Sequence, residues 1–373
     1  MSSTGQPLVT VVTPCYNAAP FIATTIASVR EQDYPAIEHI IVDDCSTDGS
    51  WEVIEAHRDV VTCVRLQENR GGGYARNRGA EMARGDYLMF LDADDVIAPD
   101  TIRSLVDAAR GAPGSIVFCD WARLRAGEGG WVAAPREIPL PAAGYDPLRG
   151  WLEGVWVPPC AVLWPREIFE RTGGWDESLR INQDGDIMMR ALADGAGLSA
   201  ARGGCGYYRT HGSDRLTVSG DAFSESRLRS LAGVLEKMRA DLEGRGVMAR
   251  YREPLGVAYH RLALAAARHG HYGLAREYAQ IGERYAGRRA VSRTRAGRLL
   301  TWILGVERKE RLMTALARRG IATRARKEEL RLRRNFASGG GARGPSAKAG
   351  GGAVRTGTAR TAELRDGAGG DGV

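Results

Sequence analysis

Four apolar runs near the start of the chain each end in polar or acidic residues, and this recurrence constrains the fold more than any other feature. They are "PLVTVVTPCYN", "IEHIIVDDCSTDGS", "VVTCVRLQ" and "DYLMFLDADD". Between them lie "PFIATTIASVREQ", with Phe21, Ile22, Ile26 and Val29 on one helical face, then "WEVIEAHR", and the glycine-led "GGYARNRGAEMARG". Strands alternating with helices in this way predict an α/β domain on a mostly parallel sheet with crossover helices. Ligands of such sheets bind beyond the carboxyl ends of the strands, so Tyr16, Asp43, Asp44 and Asp92 to Asp95 are expected to meet in one crevice. If strand geometry persists as far as the acids, Asp92 and Asp94 share a face and need a counter-ion. Either a Lys or Arg side chain or a hard divalent metal meets that need. Ser46, Thr47 and Asp48 can cap the helix that follows the second run, which leaves Asp43 and Asp44 for other work.

From about Trp121 the pattern loosens into a segment rich in Pro, Gly and Trp, then recovers in "CAVLWPREIFERTGGWDESL" and "NQDGDIMMRALADG". From about Phe223 to Arg334 the chain is rich in Ala, Leu, Arg and Glu and reads as several helices, with one hairpin around "AYHRLALAAARHGHYGLAREYAQIGERY". The Gly-rich remainder is expected to be disordered. The expected divisions are thus 1–120 and 121–220 as the two halves of one α/β domain, 221–335 as a helical region and 336–373 as a tail.

The formal charge is +7, with the excess toward the C-terminus. No aromatic-interleaved basic sheet or recognition helix accompanies it, so nucleic acid is not the expected partner. The 6 cysteines form no CxxC pair, which points to reduced thiols in the cytoplasm. No signal peptide is read at the N-terminus, and no apolar run reaches the roughly 20 residues that span a bilayer, so the protein is expected to be soluble or peripheral. In "RTRAGRLLTWILGVERKERLMTALARR", Leu299, Ile303, Val306 and Met313 fall at helical spacing opposite Arg and Lys. That stripe suits either peripheral contact with the anionic inner face of a membrane or packing on the catalytic domain or a second subunit, as in a homodimer.

Taken in order, "VVTPCYNAAPFIATTIASVREQDYP", "IIVDDCSTDGS", "NRGGGYARNRGAEMARGDYLMFLDADD", "GGWDESL" and "QDGDIMMR" resemble the family 2 glycosyltransferases over roughly residues 8 to 215. The resemblance implies a GT-A fold, Rossmann-like with a mostly parallel sheet flanked by helices. It also implies inverting, hexosyltransferase-type transfer of a sugar from a nucleotide-sugar donor to a carbohydrate or lipid-linked acceptor, as in synthesis of cell-envelope polysaccharides or glycoconjugates. By the same resemblance Pro14, Tyr16 and Asp44 hold the nucleobase and ribose, and Arg76 and Asn77 lie near the nucleotide-sugar. Asp92 and Asp94 match a DxD motif that binds Mg²⁺ or Mn²⁺, with Asp95 a neighbouring ligand or ribose contact. Asp184 matches the general base, with Gln183 where Glu is usual and Asp186 a rival two residues on. His211 matches a residue near the metal or diphosphate, and Trp175 and Asp176 match a segment beside the acceptor.

Two other readings stand beside this one. A nucleotidyltransferase would also combine an α/β sheet, a nucleotide and a metal, although it normally opens on a basic, glycine-rich loop where this chain has "TPCYNAAP". A non-catalytic protein binding membrane or nucleic acid through its basic C-terminal half is the other.

Overall fold

The computed structural model describes residues 5–127, 130–134, 145–210 and 223–287, and the single positions 305, 308, 309 and 312. The N-terminal half alternates as the apolar runs predict: β1 (Val9–Cys15), α1 (Ile22–Arg30), β2 (Ile37–Asp43), α2 (Ser50–Glu55), β3 (Thr62–Arg65), α3 (Gly72–Met82) and β4 (Tyr87–Phe90). Strand β1 pairs in parallel with both β2 and β4, and β2 pairs in parallel with β3. Val9, Val11, Val12, Ile40 to Val42 and Leu88 to Phe90 are all buried, as expected of strands covered on both faces. On one face Ile22 and Ile26 of α1 and Ile54 of α2 cluster with Cys15 and Ile41. The other face takes α3, whose Gly79 lies so close to β1 that a Cβ there would come within 2.3 Å of the Val12 Cγ1.

The second half adds β5 (Val96–Ile97), α4 (Thr101–Gly111), β6 (Ser115–Gly127), β7 (Gly130–Ala133), α5 (Pro147–Glu153), β8 (Val162–Pro165), α6 (Arg166–Thr172), α7 (Gln183–Ala193) and β9 (Gly197–Thr210). The sheet runs β3-β2-β1-β4-β8-β6-β9-β5, with β7 hung on β6 as a hairpin. Strand β8 is antiparallel to both β4 and β6 and so joins the two halves, while β6 and β9 form a long parallel ladder. The expected boundary at 120/121 falls inside β6.

Two expectations change here. The fourth strand stops at Phe90, and Asp92 to Asp95 form a turn closed by a 2.9 Å bond from the Asp95 N–H to the Asp92 carbonyl. Proximity of Asp92 and Asp94 therefore comes from a turn and not from strand alternation. The Thr25 hydroxyl of α1 pins that turn by donating to the carbonyls of Ala93 and Asp95. The loosening expected from Trp121 is also absent at first, since β6 continues to Gly127. Arg123 remains inside because its guanidinium lies over the rings of Trp121, Trp156 and Tyr208, which satisfy a cation that a hydropathy pattern scores as surface.

Three helices follow: α8 (Glu225–Gly244), α9 (Met248–Arg268) and α10 (Tyr272–Ala286). The last two are the expected hairpin, and Gly256 allows them to close, since a Cβ there would come within 2.5 Å of the Ala286 Cβ. Leu228, Val234, Met238, Leu242, Leu255 and Tyr278 join the same core as the sheet. All 6 cysteines are free thiols. Among the described residues no helix is long and apolar enough to cross a membrane. The expected stripe of Leu299, Ile303, Val306 and Met313 and the tail 336–373 lie outside the described residues.

Candidate active site

The loops that follow β1 and β2 are knitted together by their own backbone. The N–H groups of Asn17, Ala18 and Ala19 donate to side chains of Ser46, Ser50 and Asp48, and the Asn17 side-chain oxygen accepts from the Thr47 N–H. Asn17 and Cys45 hold left-handed conformations, with φ of 51° and 64°, so this junction stores strain that the bonds sustain. The N-cap of α2 is Gly49, not one of the expected side chains, although Asp48 accepts from the Ser50 N–H. Pro14 sits half-buried at the end of β1, and Tyr16 stands 45% exposed beside it, its ring free to meet a planar ligand.

Asp44, expected at the nucleobase and ribose, lies where the loop after β2 meets the entry to α3. Its carboxylate is buried and accepts from the N–H groups of Arg70 (2.7 Å) and Gly71 (2.8 Å), anchoring the entry to α3. Burial raises its pKa against those two bonds. The glycines that follow serve close approach. A Cβ on Gly73 would lie 2.9 Å from the Gln183 side-chain nitrogen and 3.3 Å from the Asp176 carbonyl, so glycine lets α3 begin close against α7 without displacing either.

Arg76 then spans the crevice. One Nη of its guanidinium pairs with the Asp92 carboxylate at 2.6 Å, and the other donates to the Gln183 side-chain oxygen Oε1 at 2.9 Å, with the guanidinium over the Trp175 ring. Asn77, expected near the nucleotide-sugar, bonds to the backbone of Trp175. Its amide donates to the Trp175 carbonyl and accepts from the Trp175 N–H, both at 2.9 Å.

Within the acidic turn the three carboxylates separate. Asp92 and Asp94 are half-buried, but Asp95 is fully buried and accepts from the Arg209 N–H at 2.8 Å. Desolvation and the charges of Asp94 and Asp92 push the Asp95 pKa well up. Through that one oxygen Asp95 supports the backbone of β9.

At the start of α7, Asn182 adopts φ of 59° and lies over Gly185, where a Cβ would collide with its side chain. Asp184 accepts a short hydrogen bond from the indole N–H of Trp156, which stands edge-on to Trp121 and Tyr208 at centroid distances of 5.2 and 5.5 Å. Burial raises the Asp184 pKa, opposed by that indole bond and by the charge of Arg76. Asp186, the rival, has its buried carboxylate paired with Arg190 at 2.8 Å and Lys237 at 2.9 Å. Lys237 also grips Asp176, whose pKa falls to about 2 because the ammonium and Ser178 outweigh its burial. Trp175 is buried in the core against Phe90.

His211 lies outside the described residues. Sequence reasoning missed Trp156, Arg123 and Arg209. A tryptophan ahead of two prolines in "GVWVPPC" and two arginines in strands carry no local signal of a crevice.

Residues 10–173 match the model of glycosyl transferase family 2. The chain carries a family 2 glycosyltransferase domain. The succinoglycan biosynthesis protein ExoO of Rhizobium meliloti is 32% identical over 209 residues, which cover 54% of this chain and 60% of that protein. The glycosyltransferase GlyG of Streptococcus pneumoniae is 34% identical over 114 residues, covering 30% of this chain and 38% of the relative. The chain thus spans less than two thirds of either relative. Among solved structures, S. aureus TarS 1–349, crystallised with UDP-GlcNAc, superposes with a TM-score of 0.52 at 16% identity over 75% of this chain and 90% of that one. This likeness gives the glycosyltransferase domain a GT-A-like fold.

Proposed function

We propose that this domain transfers a sugar from a nucleoside-diphosphate-sugar to an acceptor hydroxyl with inversion, Asp184 acting as general base. The observation that carries the proposal is the Arg76 bridge, which ties the acidic turn at Asp92 to Gln183, the neighbour of Asp184. Donor acids and base candidate thus share one crevice beyond the carboxyl ends of β1, β2 and β4. In the transfer, Asp184 takes the proton of the acceptor hydroxyl as that oxygen attacks the anomeric carbon from the far side. The bond from that carbon to the diphosphate oxygen breaks, and its electron pair leaves with the nucleoside diphosphate. The indole N–H of Trp156 occupies one oxygen of Asp184 and turns the carboxylate toward the acceptor.

Among the described residues no group of three metal-ligating side chains occurs, so a cation would rest on Asp92 and Asp94 together with phosphate oxygens. Two half-buried carboxylates on one turn fit Mg²⁺ or Mn²⁺, which accept one or two carboxylates beside substrate phosphates. When bound, such an ion neutralises the charge gathering on the departing diphosphate. The name of ExoO and the UDP-GlcNAc held by TarS favour a polysaccharide acceptor and a nucleotide-sugar donor.

A donor panel with Mn²⁺, scored by product, tests the proposal. Nucleoside diphosphate and a glycosylated product are expected. Pyrophosphate release would make the protein a nucleotidyltransferase, and anion-dependent binding with no turnover would make it a binding protein. A finer check is Trp156→Phe, which keeps an aromatic ring and removes the N–H. Asp184 is active when ionised, so activity is lost as pH falls through its raised pKa. Removing a bond that lowers that pKa should move the acid limb of kcat to higher pH and cut kcat about tenfold, with KM for donor unchanged. An unmoved limb would remove Trp156 from the base.

A further inference from the structure

Arg209, near the end of β9, is 6% exposed, and its Nε and one Nη have no hydrogen-bond partner among the described residues. The guanidinium lies 4.9 Å from the Phe21 ring centroid and 4.7 Å from that of Trp131. Aromatic contacts offset part of the cost of burying the cation, but they leave in-plane N–H groups without acceptors. An unanswered buried donor is costly, and a charged one more so. Asp94 and Asp95 lie within electrostatic reach, yet Asp95 turns its carboxylate oxygen to the Arg209 backbone N–H and not to the guanidinium. The side chain is thus held charged, stacked and unsatisfied at the edge of the acidic turn.

We infer that Arg209 is an anion receptor, and that it donates in-plane N–H groups to a phosphoryl oxygen of the donor's diphosphate. The choice of ligand rests on the function proposed above and on the position of Arg209 beside Asp94. A cation held by Asp92 and Asp94 would consume the negative charge that faces the guanidinium. The nearest anion able to replace it is the diphosphate that accompanies the cation. A planar guanidinium with fixed donors matches two phosphoryl oxygens better than an ammonium does. The inference adds to the acidic turn a positive wall, which no motif of the sequence marked.

Inorganic pyrophosphate with Mn²⁺ is the probe, because it needs no nucleobase, and calorimetric binding and Tm are the readouts on the full chain. Arg209→Met should bind pyrophosphate about ten- to a hundredfold more weakly than wild type, the worth of charge-assisted hydrogen bonds. Its Tm without ligand should be unchanged or higher, since a flexible apolar side chain fills the slot between Phe21 and Trp131 and an unsatisfied charge is gone. Arg209→Lys should fall between the two in affinity. A lower Tm with wild-type pyrophosphate affinity would overturn the inference and make Arg209 the internal counter-ion of Asp94 and Asp95. Affinity equal to wild type at any Tm also overturns it. Loss of pyrophosphate binding in Arg209→Met without sugar transfer by wild type would leave the receptor standing and sink the transferase. Transfer by wild type with full pyrophosphate binding by Arg209→Met would do the reverse.

Discussion

Asp184→Asn should lower kcat by about 10²- to 10⁴-fold, the usual worth of a positioned general base. Asparagine keeps the size and the acceptor oxygen that the Trp156 indole N–H needs, so the aromatic cluster should remain in place. The amide cannot take the acceptor proton. Affinity for nucleoside diphosphate should be unchanged, because the donor acids stand on the separate turn after β4. The control is Asp186→Asn, which breaks a buried pair with Arg190 and Lys237 and should lower Tm far more than it lowers kcat at permissive temperature. If Asp186→Asn is inactive while folded and Asp184→Asn turns over normally, the base lies two residues further along α7.

Asp94→Asn should reduce divalent-dependent turnover by about 10²-fold or more, since a Lewis acid supplies several kcal/mol of charge stabilisation. Wild type treated with chelator should fall to a similar level, and chelator should add little to the variant. Asp92→Asn carries a second cost. It strips Arg76 of its carboxylate partner, in a pair whose side chains are 12% and 24% exposed, and should lose about 1–3 kcal/mol of stability with the activity. Titrating Mn²⁺ against nucleoside diphosphate release for the three proteins reads these effects. Turnover in Asp94→Asn that matches wild type, or wild type indifferent to chelator, would remove the metal from the mechanism.

The parts of this molecule legible in its sequence are those written in local pattern. Apolar runs ending in polar or acidic residues gave β1, β2 and β4 their places, and helical spacing gave α1. Arg76, Asp92 and Asp184 stand in motifs that fix residue type at short range, and Arg76 does contact the segments of the other two. The backbone contacts of Asp44, Asn77 and Asp95 show what such reading does not reach. A carboxylate or amide advertises what it can accept, not whether a backbone N–H reaches it first. Asn77 meets Trp175 across 98 positions and Asp95 meets Arg209 across 114, and nothing local encodes either bond. Trp156 fails for the same reason. Its value lies in an indole N–H delivered to Asp184 by a chain segment with no periodicity of its own.

Because α3 begins on bare glycine against Gln183 and Asp176, the donor and acceptor portions of this domain are not interchangeable cassettes. A chimera that takes the segment containing α7 from a relative with a bulkier residue at 183 would drive that side chain into Gly72 and Gly73. One that takes α3 alone would strand Arg76 without its acceptor. Recombining specificities by exchanging segments therefore requires moving residues 71–77 and 175–184 together, as a lock travels with its key.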